Sequence, residues 1–341
     1  METIWFALVA VMIAVYVVLD GFDLGAGIIH LLVARDTSER RQVLASIGPV
    51  WDGNEVWLLA GGGTLYFAFP ALYASSFSGF YLPLMMVLWL LILRGISIEF
   101  RNHIDSPVWI PFWDVVFSLA SGLLAIFFGA ALGNVVRGVP LDQAGEFFLP
   151  LWTDFGMGRE SGILDWYTLL IAVAAFLTLT EHGALWVALK TEGDLERRAR
   201  RAAHLTWWGV AGITVLITWR SFQIQPLLAQ SFGARPWGYV FPLVALAGLS
   251  GMRLFRGSRA FLSSCLFITG MLTSAAFGVY PYVLPSNGDP KLGLTVYNAA
   301  AAPYGLRVGL AWFIPGILLA TAYFVYTYRN FSGKVTSGSS H

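Results

Sequence analysis

The sequence is poor in charge. Asp, Glu, Lys and Arg make up 12% of its 341 residues, and 57% are hydrophobic, whereas a soluble domain carries roughly 25% charged residues. No polar stretch is long enough for a sizeable soluble domain. Cysteine is almost missing: Cys265, in an apolar run, is the only one. That excludes an internal disulfide and a thiolate metal cluster, and leaves a small core residue. The formal net charge of +1 lacks the basic excess that nucleic-acid binding needs. Gly61-Gly62-Gly63 is not followed by lysine and sits in an apolar run, so it reads as close helix packing rather than a phosphate loop. No hydrolytic triad and no metal-ligand spacing occurs.

Long apolar runs dominate what remains, and they define an all-α polytopic membrane protein. Nine transmembrane helices are expected at about 4–34, 51–70, 78–100, 112–134, 163–190, 203–224, 237–255, 259–282 and 307–329. Met1-Glu2-Thr3 has no basic residue, so the first run is expected to be a retained helix and not a cleaved signal. A faint repeat relates Gly25-Ala26, followed by Glu39-Arg40-Arg41, to Gly183-Ala184, followed by Glu196-Arg197-Arg198. It divides the chain into a first four-helix bundle (1–134), a periplasmic loop (135–162) and a second four-helix bundle (163–282). A second periplasmic loop (283–306), a peripheral ninth helix (307–331) and a disordered tail (332–341) follow.

Lys and Arg are unevenly shared between the two sets of connections: 15 lie on one side and 6, Arg159 among them, on the other. The positive-inside rule then places the N-terminus outside and the C-terminus in the cytoplasm.

Seven acids interrupt the apolar runs or mark their ends: Asp20, Asp23, Asp52, Glu55, Glu99, Asp114 and Glu181. A carboxylate at the centre of a membrane helix costs roughly 2.5–3.5 kcal/mol on insertion scales. At 1.5 Å per helical residue all seven fall in the cytoplasmic half. Three readings stay open: helix caps and ion pairs with Arg94 and Arg101, a hydrated proton inlet, or the cation site of a transporter. Transporter sites favour the midplane, and these acids lie below it. His30, His103, His182 and His204 sit at inner helix ends, and His341 in the tail. No spacing singles one of them out as a haem ligand. Trp51, Trp57 and Trp113 are near the acids in sequence, although most tryptophans mark membrane interfaces.

At these positions the chain resembles subunit II of the bacterial cytochrome bd-type quinol oxidases. The matching stretches are Asp20-Gly21-Phe22-Asp23-Leu24-Gly25 and Gly48-Pro49-Val50-Trp51-Asp52-Gly53-Asn54-Glu55-Val56-Trp57. Residues 74–83 (ASSFSGFYLP), Arg94-Gly95 through Glu99-Phe100-Arg101, Trp113-Asp114, Gly133 to Pro140 and Tyr280 to Ser286 extend the likeness in order along the chain. Thr180-Glu181-His182-Gly183-Ala184 is similar to the cyanide-insensitive branch.

The resemblance implies two four-helix bundles plus a ninth helix, in the bacterial inner membrane. It implies a homologous subunit I that carries haem b and haem d, with quinol as substrate and O2 reduced to water. Small single-helix accessory subunits and a structural quinone or lipid are further implied partners. Carried onto this chain, Asp52 matches the family's inlet carboxylate, with Trp51 beside it. Asp23 and Asp114 match acids tied to proton supply or haem-site integrity, Trp57 a residue near the O2 route, and Arg94 and Arg101 the basic end of helix three. Glu55 stands where some relatives have an amide. The expected proton path is Asp52, Asp20, Asp23, Glu55 and Asp114; no catalytic residue and no metal site is expected in this chain. The rival reading is a proton- or cation-coupled secondary transporter.

Overall fold

The computed structural model describes residues 1–158 and 161–335. Arg159, Glu160 and residues 336–341, including His341 and most of the expected disordered tail, lie outside them. The chain is helical almost throughout. In order the helices are α1 (Glu2–Val33), α2 (Thr37–Ile47), α3 (Trp51–Ala68), α4 (Pro70–Gly79), α5 (Tyr81–Phe100) and α6 (Trp109–Arg137). After a loop come α7 (Trp166–Lys190), α8 (Gly193–Ile224), α9 (Pro226–Ala234), α10 (Val240–Leu254), α11 (Ser258–Val279) and α12 (Pro303–Asn330). A two-stranded antiparallel ribbon, β1 (Tyr282–Leu284) with β2 (Leu294–Thr295), separates the last two helices. Among the described residues eight helices are long and apolar enough to cross a membrane, and the bent pair α3–α4 makes a ninth.

Two expected boundaries move, for physical reasons. The second helix ends at Ala68, close to the expected 70, but the third does not follow a loop at 78: α4 leaves α3 at 120° across Phe69, and α5 begins at Tyr81. Pro70 forces the break, because it cannot donate the next backbone hydrogen bond, yet it suits the first turn of a new helix. The sixth helix starts ten residues early, at Gly193. Leu195, Ala199 and Ala203, spaced by four, bury a stripe there beneath a charged surface that hydropathy alone reads as a loop. The connection after α1 also contains a helix, α2, whose N-cap Asp36 accepts from the Glu39 amide at 2.9 Å.

The α1 helix is the hub. It packs against α3, α6, α7 and α11, and every residue from Asp20 to His30 is buried. Small residues permit this. A Cβ on Gly25 would lie 1.9 Å from the Leu179 carbonyl, and one on Gly183 would lie 2.1 Å from the Gly25 carbonyl carbon. The two glycines of the sequence repeat therefore meet where α1 crosses α7, in the small-residue packing common between membrane helices. Further out, α5 packs on α6, α8 on α7, and α10 on α11. The loop after α6 and the β1–β2 ribbon pack together around Trp5, Phe69, Val139, Phe147 and Leu284.

Because the obstacle at Gly25 is backbone, Gly25→Val is expected to cost at least the roughly 1–3 kcal/mol of ordinary overpacking. Gly212→Ala, where a Cβ meets nothing within 4 Å, serves as the control. Thermal melting and the monodisperse fraction after extraction should fall for the first variant and stay unchanged for the second.

Candidate functional site

The buried polar residues fall into separate groups along α1. The first forms where α1, α3 and α5 meet. Arg94, fully buried on α5, pairs with Asp20 at 2.7 Å and donates to Glu55 Oε2 at 2.9 Å. Asp20 is fully buried, while the Glu55 side chain is 25% exposed. Asp23, one turn along α1 from Asp20 and 1% exposed, accepts from Asn54 Nδ2 at 2.7 Å. Asn54 in turn accepts from the Tyr328 hydroxyl of α12 at 2.8 Å. The second carboxylate oxygen of Asp23 is buried with no hydrogen-bond partner. Two carboxyl groups thus hold one guanidinium, and a third, that of Asp23, lies one helical turn along α1. Full ionisation would leave excess negative charge in a poorly solvated place, so this group has carboxylate oxygens to spare for protons.

The second group lies ten residues further along α1, about 15 Å away by helical rise. Asp114, fully buried on α6, accepts from Arg101 Nε at 2.5 Å and from Arg40 at 3.2 Å. His30 Nε2 lies 2.7 Å from the same carboxylate. Here one carboxylate meets three basic side chains. Its charge is answered on every side, and it ties α1, α2, α5 and α6 together.

The remaining predicted residues are spread out. Asp52, in the first turn of α3, is exposed and shares a helix face with Glu55 three residues on. Trp51 is half-buried beside Gly95, where a Cβ would stand 3.5 Å from its ring. Trp57 is buried with Met12 and Tyr16, its ring centroid 5.4 Å from that of Phe324. Glu99 is exposed, and Glu181 is buried on α7. The seven acids therefore do not form one cluster. Sequence reasoning missed Asn54, Tyr328, His30 and Arg40 as members of these groups. Asn54 lies inside the motif 48–57, whereas no sequence signal links Tyr328 to it.

Three of the histidines are engaged with other groups of the fold. Both ring nitrogens of His182 are engaged, Nδ1 with Ser264 at 2.7 Å and Nε2 with the Val18 carbonyl at 2.9 Å. His30 is packed under Asp114 and Phe117. His103 Nδ1 bonds the Glu99 carbonyl at the surface. No group of three or more His, Cys, Asp or Glu side chains among the described residues could hold a metal ion.

A bundle of long apolar helices with paired charges in its interior defines a multi-pass membrane protein. The family description "Cytochrome bd terminal oxidase subunit II" matches residues 1–331, and the chain belongs to that family. The family supplies a subunit of an oxidoreductase complex. "Probable cytochrome oxidase subunit 2" of Haemophilus influenzae is 31% identical, over 97% of this chain and 94% of its own. "Cytochrome bd-I ubiquinol oxidase subunit 2" of Escherichia coli is 28% identical, over 98% and 94%. "Cytochrome bd ubiquinol oxidase subunit 2" of Bacillus subtilis is 31% identical, over 90% and 89%. A chain of the solved bd oxidase from Geobacillus thermodenitrificans shares the fold, with a TM-score of 0.72 over 97% of this chain and 98% of that one, at 17% identity.

Removing one partner from a buried ion pair leaves an uncompensated charge, at about 3–5 kcal/mol. Arg94→Gln is expected to destabilise the protein by that order, and Arg94→Gln with Asp20→Asn by clearly less. Thermal unfolding of the two variants measures the difference.

Proposed function

We propose that this chain is the second subunit of a terminal quinol oxidase. In this reading it pairs with a homologous subunit I that bears haem b and haem d, oxidises quinol and reduces O2 to water. The observation that carries it is the group around Arg94: Asp20 and Glu55 share one guanidinium, and the buried carboxyl group of Asp23 lies one turn away with an oxygen that has no partner. Such a group can hold and pass protons without leaving a bare charge in hydrocarbon.

Asp52 stands exposed at the start of α3, and on the positive-inside orientation it faces the cytoplasmic half. A proton taken up there passes to Glu55 one turn on, and Glu55 reaches Asp20 across Arg94. Asp23, with its free oxygen, is the next acceptor. Asn54 and Tyr328 hold Asp23 in place; an amide and a phenol orient the carboxylate without competing for its proton. Asp114, fully neutralised, anchors the inner end of α1, and with it Arg101. Trp51, beside Gly95, and Trp57, packed on Met12 and Tyr16 of α1, neighbour this path, and with Arg94 they are assigned here to the surroundings of the haem or O2 route of the complex. The exposed apolar side chains of α8, α10 and α12, Trp208, Leu243 and Trp312 among them, are surfaces that a structural quinone or lipid or single-helix accessory subunits would cover. The Gly25–Gly183 crossing supports a pseudo-symmetric pairing of residues 1–134 with 163–282.

A secondary transporter is the weaker reading, since the family match runs along nearly the whole chain and its subunits belong to oxidases.

In the assembled complex, Asp52→Asn is expected to lower quinol-oxidase turnover, and more steeply at high pH, where protons are scarce. Unchanged turnover and pH profile in an intact complex would defeat the proton-inlet role. Expressed alone, the chain is expected to show no haem spectrum; one haem per chain would refute the assignment of haem to the partner.

A further inference from the structure

A recess of about 180 Å³ opens at the inner end of α7, between α2, the start of α3 and the end of α12. Its wall includes Ser46, Trp186, Lys190, Tyr328, Asn330 and Lys334, and the residues lining it include two lysines and no carboxylate. By volume it holds roughly six waters, at about 30 Å³ each.

The charge on its wall is unbalanced. Lys190, the last residue of α7, is only 7% exposed. Its ammonium donates to the carbonyls of Phe331 and Gly333 and lies 5.0 Å from the Trp186 ring centroid. None of these partners carries negative charge, and among the described residues no carboxylate comes within ion-pair reach of Lys190. Lys334 reaches Glu196 and Glu192 only at 3.7 and 3.8 Å, outside the recess. A buried cation without a counter-anion is costly, and here it borders a space large enough for one.

The position limits the choice of anion. Lys190 ends a membrane helix, so the recess sits at the level of the lipid headgroups, on the side that carries most of the Lys and Arg. Basic pockets between membrane helices on that side suit anionic headgroups. Ala45, Pro49, Val50 and Trp186 give the same recess an apolar wall.

We infer that this recess binds a phosphate group, with Lys190 as its principal ligand and Lys334 and Asn330 beside it. A phosphate there would join α2, α7 and α12, the last of which is otherwise the least buried of the membrane helices.

The test uses the complex with its partner subunit. Thermal unfolding is compared in phosphatidylcholine vesicles, in the same vesicles containing phosphatidylglycerol, and in phosphatidylcholine with inorganic phosphate. Native mass spectrometry counts retained phospholipid in parallel. The expected result is a higher melting temperature with phosphatidylglycerol and one more retained phospholipid than in Lys190→Gln, both restored in Lys190→Arg. Stabilisation by inorganic phosphate, lost in Lys190→Gln, would identify free phosphate as the ligand of the same site. Should Lys190→Gln fail to assemble, Lys334→Gln carries the comparison, with partial loss of both signals expected. No stabilisation by either phosphate source, or lysine variants that keep the stabilisation and the lipid, overturns the proposal.

Discussion

The close crossing of α1 over α7 is the constraint on which the rest depends. Gly25 and Gly183 bring two backbones into direct contact, and that contact makes α1 a central helix with neighbours on all sides. Only a helix so enclosed can carry Asp20, Asp23 and His30 in an apolar run. On the lipid face each charge would be exposed to hydrocarbon; in the interior each finds a partner on a different neighbour. Arg94 comes from α5, Asn54 and Glu55 from α3, Asp114 from α6 and Arg40 from α2. Packing thus comes first, and the polar groups follow it.

The two α1 groups differ in charge balance, and that separates their roles. Around Asp114 the bases outnumber the acid, so the carboxylate is fixed. Around Arg94 the acids outnumber the base, so carboxylate oxygens are left over. The same residue types therefore build a closed tie in one place and, in another, a set with a buried carboxylate oxygen left unpartnered. The inner recess reverses the imbalance once more, with two lysines and no acid on its wall, which is why an anion and not a proton is the ligand it favours.

Much of the architecture is readable from hydropathy, because a membrane helix must be long and apolar wherever it sits. What hydropathy reads poorly are segments whose burial is one-sided. The first turns of α8 and the whole of α2 look polar, yet each hides a stripe of small or aliphatic residues. The bend at Phe69 is hinted at by Pro70, but its 120° angle is visible only in the fold. Among the candidate site residues, the contacts within one motif were open to sequence reasoning: Asp20 and Asp23 share a face of α1, and Asp52 and Glu55 a face of α3. The contacts between motifs were not. Asp20 with Arg94 spans 74 residues, Asp114 with His30 spans 84, and Asn54 with Tyr328 spans 274.

By itself, then, the sequence determined that the chain is a many-helix membrane protein, which acids interrupt its apolar runs, and the family to which it belongs. Those properties depend on local composition and on ordered motifs. The tertiary structure alone decided which acids are paired, which are surplus and which, like Asp52, face outward. Pairing is a matter of distance between helices, and helix order along a chain does not state how the helices cross. Here two glycines that permit a backbone contact settled it.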